Sequence, residues 1–463
     1  MARDPAVDPA SFRDPGGFVF RRGGRPLRQV NLPARPDYDR LIASGLYDEL
    51  AGAGLLIPHA EVDEPPLRPG DAYKVLAPEP IPFVSYPYEW CFGQLRAAAL
   101  LTLEIQRRAI ARGMTLKDAS GYNVQFRGPA PVFIDTLSFA ADREGEPWVA
   151  YHQFCGHFLA PLALMARADV RLGGLLRANL DGIPLDLASR LLPGRTRFDP
   201  GLLMHIHLHA GAKRAYDARA EAPRPRRFPR SALLGLVGSL ESATRRLGWE
   251  PRGTEWADYY DDTNYAPEAL EEKGRLVAAF LDMVGTAGTA WDLGANTGRF
   301  SRLAAARGFS TVAFDVDPAA VERNHREATR GGEGRLLPLL LDLTDPSPGL
   351  GWENAERKSL LDRGPADVAM ALALVHHLAI GNNVPLPEVA SLLARAGRHL
   401  IVEFVPKDDS QVRRLLVVRE DIFPGYTRDG FESAFAGPFE TLRVEPIAGT
   451  GRVLYLMRRR GPG

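Results

Sequence analysis

The second half of the chain alternates short, continuously apolar runs with longer segments whose apolar residues return every three or four positions. TAWDLGAN (289–296) is an apolar run ending in a glycine turn, and GRFSRLAAARG (298–308) has helical spacing and a glycine stop. TVAFDVD (311–317) then reads as a strand and PAAVERNHREA (318–328) as a helix opened by Pro318. RLLPLLLDL, ADVAMALAL and HLIVEF continue the series as strands, with LPEVASLLARAG as the helix before the last of them. FETLRVEP and GRVLYLMRR read as two closing antiparallel strands. Strands regularly separated by helices predict a doubly wound α/β sheet, whose ligands sit at the carboxyl ends of the strands.

The first half patterns differently. GGFVFRRGGRPLRQV (16–30) alternates around Gly23-Gly24 and predicts a hairpin. Residues 89–113 have helical spacing and end on Gly113, and YNVQF, RGPA and PVFID (122–135) predict a second hairpin. Residues 146–215 read as mostly helical, so the whole is an α+β domain. Between the halves, RAEAPRPRRFPR (219–230) places three prolines among arginines, which neither a helix interior nor a central strand accommodates. The expected organisation is an N-terminal domain over 1–218, a linker over 219–230 and a C-terminal domain over 231–463.

Composition narrows the function classes. The chain has 463 residues, 45% hydrophobic and 25% charged, enough to bury two cores. Lys plus Arg and Asp plus Glu each number 57, so bulk charge does not draw the protein to nucleic acid or to an anionic membrane. Two cysteines, Cys91 and Cys155, provide no disulfide framework and no four-cysteine zinc site. The opening MARDPAVDPASF has acids and prolines where a signal peptide has basic and then apolar residues. No apolar run approaches the roughly 20 residues that cross a bilayer. A cytoplasmic protein without membrane contact is expected.

The chemistry concentrates at Asp292-Leu293-Gly294-Ala295-Asn296-Thr297-Gly298, a strand feeding a glycine turn that feeds a helix. Such a turn suits a dinucleotide, a flavin or a sulfonium nucleoside. An acid beside the loop, Asp292, repels a pyrophosphate and suits a cation. Asp315 ends the next strand, where a carboxylate can accept both hydroxyls of a ribose. Asp317 is the other candidate, but ahead of Pro318 it reads as charge at a helix start, and Asp315 comes first after the apolar strand.

On this acid-x-Gly-x-x-x-Gly pattern, residues 256–460 resemble the class I S-adenosylmethionine-dependent methyltransferases. The resemblance implies a Rossmann-like fold and S-adenosylmethionine as cofactor. It implies that Gly294 and Gly298 line the methionine moiety, with Asp292 near its ammonium. It further implies Asp315 on the ribose and Asp342 on the adenine amino group, with Asn296 standing where the family has a middle glycine. For a hydroxyl acceptor a base is needed, and His376, His377 and Glu403 follow strands at the ligand edge. Adjacent histidines diverge by about 100° on a helix, so at most one faces the acceptor. Tyr260, Tyr265 and Lys273, just upstream, are candidates for capping this pocket, against ordinary packing.

Two further clusters stand in the N-terminal half. Asp118, Asn123 and Asp135, across a hairpin, resemble the catalytic and metal-binding positions of a kinase C-lobe. Leu116-Lys117 and Thr136-Leu137 depart from that motif, a glycine-rich phosphate loop is missing, and Lys74 alone is weak support for a phosphate lysine. His205, His207 and His209 would share a face on a strand but not on the helix their surroundings predict, so no metal is expected.

Taken in order, SYPYEW, LKDASGYN, FIDTLSF and DLGANTG resemble bacterial methyltransferase-like proteins related to rhizobial nodulation host-specificity proteins. This implies a two-domain methyltransferase with a small-molecule or carbohydrate acceptor. ATP-dependent phosphotransfer by the N-terminal half, and an interaction protein with an inactive cofactor site, remain alternatives. Zero net charge disfavours a nucleic-acid acceptor without excluding it.

Overall fold

β1 (Gly17–Arg22) and β2 (Arg25–Asn31) form the expected hairpin, turning at Gly23 and Gly24, both with positive φ. They are described in a computed structural model that covers residues 7–209, 228–252, 267–417 and 420–461. β3 (His59–Glu61) and β4 (Ala72–Pro78) complete an antiparallel sheet of order β1-β2-β4-β3. The helix Phe92–Ala111 follows and buries an apolar face along its length. β5 (Met114–Leu116) pairs with β8 (Phe139–Ala141), and between them β6 (Val124–Arg127) and β7 (Ala130–Phe133) make the second expected hairpin. Short helices occupy most of 151–207, so this part is α+β, as the pattern indicated. Cys91 and Cys155 are both buried thiols, not joined in a disulfide.

The later strands are β9 (Gly288–Leu293), β10 (Phe309–Asp315), β11 (Leu336–Leu340), β12 (Ala366–Ala371), β13 (Gly397–Phe404), β14 (Phe439–Pro446) and β15 (Val453–Arg459). They form one seven-stranded sheet of order β11-β10-β9-β12-β13-β15-β14. The first five strands run parallel, and β15 is antiparallel to both its neighbours. This is the Rossmann-like α/β arrangement expected of the second half. Chain order reverses at β9, flanked by β10 and β12, so the carboxyl end of β9 is the topological switch point. Helices cover the sheet, and Val277, Phe280 and Leu281 of the helix Pro267–Val284 pack in one core with Ala290, Val368, Met370 and Ile401.

The chain divides into two compact units, Met1–Glu250 with Gly349–Arg357, and Pro251–Pro348 with Lys358–Gly463. That corrects the expected start of the second domain at 231. The helix Arg230–Arg246 belongs to the first unit, where it packs on the helix Phe92–Ala111 by its buried Leu233, Val237, Leu240 and Ala243. An Arg107–Glu241 ion pair of 2.7 Å joins the two helices. The proline-rich stretch marks a break in local pattern, but an amphipathic helix goes where its apolar face is matched. Residues 219–227 of that stretch lie outside the described residues.

Candidate functional site

The turn after β9 is held by unusual backbone conformations. Gly294 and Gly298 have φ of 79° and 81°, and Asn296 has φ of 49°. Asparagine tolerates the left-handed region better than most side-chain-bearing residues, which explains why it can replace a glycine there. Gly294 N and Ala295 N both donate to Phe314 O at 2.9 Å, fastening the turn to the end of β10. A Cβ on Gly298 would stand 2.5 Å from the Asn324 amide. The close approach at Gly298 is thus to a neighbouring helix: the residue does not line the cavity, contrary to the role the resemblance implied.

A cavity of about 410 Å³ opens at this switch point, within the range of small-molecule sites. Asp292, Gly294, Asn296, Asp315 and Asp342 all line it, brought together from three strand ends. Asp292 is buried and accepts a hydrogen bond from Ser301 Oγ at 2.6 Å. Asp315 accepts from Asn296 N at 2.7 Å and from Asp317 N at 2.9 Å. Burial pushes both carboxyls up to about 6. Asp317 caps the helix Pro318–Gly331, accepting from Ala319 N and Ala320 N, and stays off the cavity wall. Asp342 is exposed at the rim, where its Oδ1 accepts from Thr344 N and Oγ1.

Val316, Leu341, Leu343 and Leu374 add apolar walls that sequence reading passed over. Val316 directly follows the strand-end acid Asp315, and Leu341 and Leu343 flank Asp342, so adjacency to an acid is the signal that could have found these three; Leu374 has no acid beside it. Lys273 also lines the cavity. Tyr260 and Tyr265 lie outside the described residues.

Of the three candidate bases only His377 reaches the cavity, from the wide helical turn His377–Gly381. Burial holds its imidazole down to about 4, so the ring is neutral at pH 7. His376 is buried behind it, 4.1 Å away between ring centroids, and neither of its nitrogens has a hydrogen-bond partner among the described residues. Desolvation lowers it well below the ordinary imidazole value. In an NMR titration the His377 ring protons should shift with a midpoint near pH 4. A midpoint near the ordinary 6.5 would contradict this burial.

Glu403 is misread as a base. Its carboxylate is fully buried on β13 and off the cavity wall. Oε2 accepts from Lys273 Nζ at 2.6 Å and from Ala373 N at 2.8 Å, while Oε1 faces Arg452 at 3.2 Å. A carboxylate whose two oxygens are both engaged in this way, away from the cavity wall, is not placed to reach an acceptor's proton.

In the first unit, Asp118, Asn123 and Asp135 do converge. Asn123 Nδ2 donates to Ser138 Oγ at 3.1 Å, and Ser138 Oγ donates to Asp135 at 2.6 Å. Arg28 pairs with Asp135 at 2.6 Å, so a guanidinium stands at the carboxylate where kinase resemblance implies a metal. Asp118 is raised by burial and, to a lesser degree, by Asp135. Lys74 is tied to Glu61 on the adjacent strand. No observation here favours phosphotransfer.

The three histidines of H-x-H-x-H diverge. His205 sits between Tyr151 Oη at 2.8 Å and Ser239 Oγ at 2.9 Å, and His207 between Ser189 Oγ at 2.8 Å and Thr196 Oγ1 at 2.9 Å. His209 meets His152 edge to face, with ring centroids 4.2 Å apart. Among the described residues, no group of three or more His, Cys, Asp or Glu is placed to hold a metal, and no helix is long and apolar enough to cross a membrane.

No family model matches the chain. It is 36% identical over 458 residues to the nodulation protein NoeA of Rhizobium meliloti (strain 1021), covering 97% of this chain and 95% of that protein. Among solved structures, it is similar to magnesium protoporphyrin IX methyltransferase from Synechocystis PCC 6803 with bound SAH, at 16% identity and a TM-score of 0.31, covering 44% of this chain and 93% of that one. It is similar to the N-methyltransferase NodS from Bradyrhizobium japonicum WM9 at 12% identity and a TM-score of 0.31, covering 42% and 98%.

Proposed function

The chain belongs to the family of the nodulation protein NoeA, and from that premise we propose that it is an S-adenosylmethionine-dependent methyltransferase acting on a small-molecule or carbohydrate hydroxyl. The observation that carries this reading is the joint placement of Asp292, Asp315 and the Gly294 turn on one cavity at the switch point of the sheet. Asp315 keeps lone pairs beyond its backbone partners and would accept the ribose hydroxyls. Val316, Leu341 and Leu343 form an apolar wall suited to a purine, with Asp342 at its rim to accept the amino group. Asp292 supplies the negative charge for the methionine ammonium.

When bound, the cofactor supplies an electrophilic methyl group on sulfur. The chain's part is to align the acceptor and receive its proton. His377 and Asn382 stand on the same wall, and the neutral His377 ring offers a lone pair to a hydroxyl proton. The kinship with a nodulation protein and a chain without bulk positive charge support the proposed carbohydrate or small-molecule acceptor.

Calorimetric titration of the purified chain with S-adenosylhomocysteine tests the reading. Saturable micromolar binding is expected, and Gly294→Asp should abolish it. A side chain there is strained at φ 79° and its Cβ would meet Leu374 at 3.2 Å. Folded wild-type protein that binds nothing would overturn the reading.

A further inference from the structure

Lys273 is the one ammonium on the cavity wall among the described residues. It is 3% exposed, on the helix Pro267–Val284, and its Nζ lies 4.7 Å from the centroid of the Phe300 ring, another wall residue. Taking an ammonium out of water costs several kcal/mol, which an apolar residue at the same place would avoid. The chain nevertheless builds a support for this charge. Glu403 holds Lys273 at 2.6 Å, Arg452 backs Glu403 at 3.2 Å, and Asp409 backs Arg452 at 2.7 Å. The four charges sum to zero and fix the ammonium at the wall.

The same carboxylate also fixes backbone. Glu403 Oε2 accepts from Ala373 N, and Ala373 has φ of 51°, a left-handed conformation that alanine adopts only under constraint. Ala373 is itself a wall residue. Beside Lys273 on that wall is Asp292; burial lowers the Lys273 ammonium, and Glu403, with Asp292 to a lesser degree, opposes that shift. A buried carboxylate and a buried ammonium on one wall are complementary to a ligand that carries an ammonium and a carboxylate close together, as an α-amino acid does.

We propose that Lys273 receives the α-carboxylate of the cofactor's methionine moiety, with Asp292 receiving the ammonium and Glu403 acting as the positioning residue for both Lys273 and the Ala373 backbone. An ammonium has three donors, so it can serve Glu403 and a ligand carboxylate together. The proposal rests on the methyltransferase reading and adds to it a selection for the amino-acid end of the nucleoside.

The test compares three probes: S-adenosylhomocysteine, its decarboxylated analogue, and 5′-methylthioadenosine, which lacks the amino-acid end. Wild type should bind the first about 30-fold more tightly than the second, as a charge-assisted hydrogen bond provides. Lys273→Met should bring that ratio close to one while leaving 5′-methylthioadenosine binding within about 3-fold, since uncoupled sites act independently. Lys273→Arg should restore part of the ratio. Because Lys273→Met leaves Glu403 short of a partner, Lys273→Met/Glu403→Gln provides a second, charge-balanced variant with the same expectation. An undiminished ratio in either folded variant, or equal binding of the first two probes by wild type, overturns the proposal alone. Wild type that binds none of the three probes overturns the methyltransferase reading beneath it.

Discussion

Asp315→Ala should lower affinity for S-adenosylhomocysteine by about 100-fold, the loss of roughly 3 kcal/mol expected when a charged acceptor shared by two hydroxyls is removed. Asp315 also holds Asn296 N and Asp317 N, so the substitution loosens the turn as well as removing the acceptor. Asp315→Asn keeps one acceptor oxygen and should lose less. The measurement is calorimetric titration of variants shown by circular dichroism to be folded. Unchanged affinity in Asp315→Ala would take the ribose away from this strand end.

The same residue predicts two opposed pH slopes. Asp292 and Asp315 are raised by burial to about 6, against about 3.9 in an unfolded chain. The stabilisation from a raised pKa is complete below the unfolded value and is lost as pH rises through the folded one. The ligand-free protein should therefore lose stability from these two groups between about pH 4 and pH 6. Cofactor affinity should rise over the upper part of that window, because the ionised carboxylates accept hydroxyls and balance an ammonium. Melting temperatures of the free protein together with affinities at pH 5 and pH 7.5 check both slopes. Flat curves for both would contradict buried, ligand-facing carboxyls.

Glu403→Ala should destabilise the chain by about 3–5 kcal/mol, the range for leaving buried charges without their partner. Lys273 and Arg452, 3% and 5% exposed at their side chains, would both lose the carboxylate between them. For a unit of this size, the melting temperature should fall by roughly 10 °C. Glu403→Gln retains the shape and an acceptor oxygen and should cost less. Thermal unfolding distinguishes this structural role from catalysis. A Glu403→Gln variant that melts like wild type but transfers no methyl group would restore Glu403 as a base.

Much of the second unit was legible from local pattern. Parallel strands covered on both faces read as continuous apolar runs, and β9 to β13 were all found that way. The glycine turn and Asp315 were legible for a related reason: in such a sheet, strand ends are where ligands bind, so position along the chain implies position at the site. In the first unit, both hairpins were visible in their alternation and turn residues.

Other assignments depended on contacts that no local window contains. Lys273 and Glu403 meet across 130 residues, and that contact turns a strand-end acid from a candidate base into a structural counter-ion. His376 and His377 are equivalent as letters; packing buries one ring and brings the other to the cavity. The helix Arg230–Arg246 lay in the expected second domain by its place after the prolines, but complementarity with the helix Phe92–Ala111 puts it in the first unit. Periodicity and turn chemistry act over a few residues and are written into the chain directly. Charge pairing, side-chain exposure and domain membership depend on which distant surfaces meet, and they emerge only when the chain has folded.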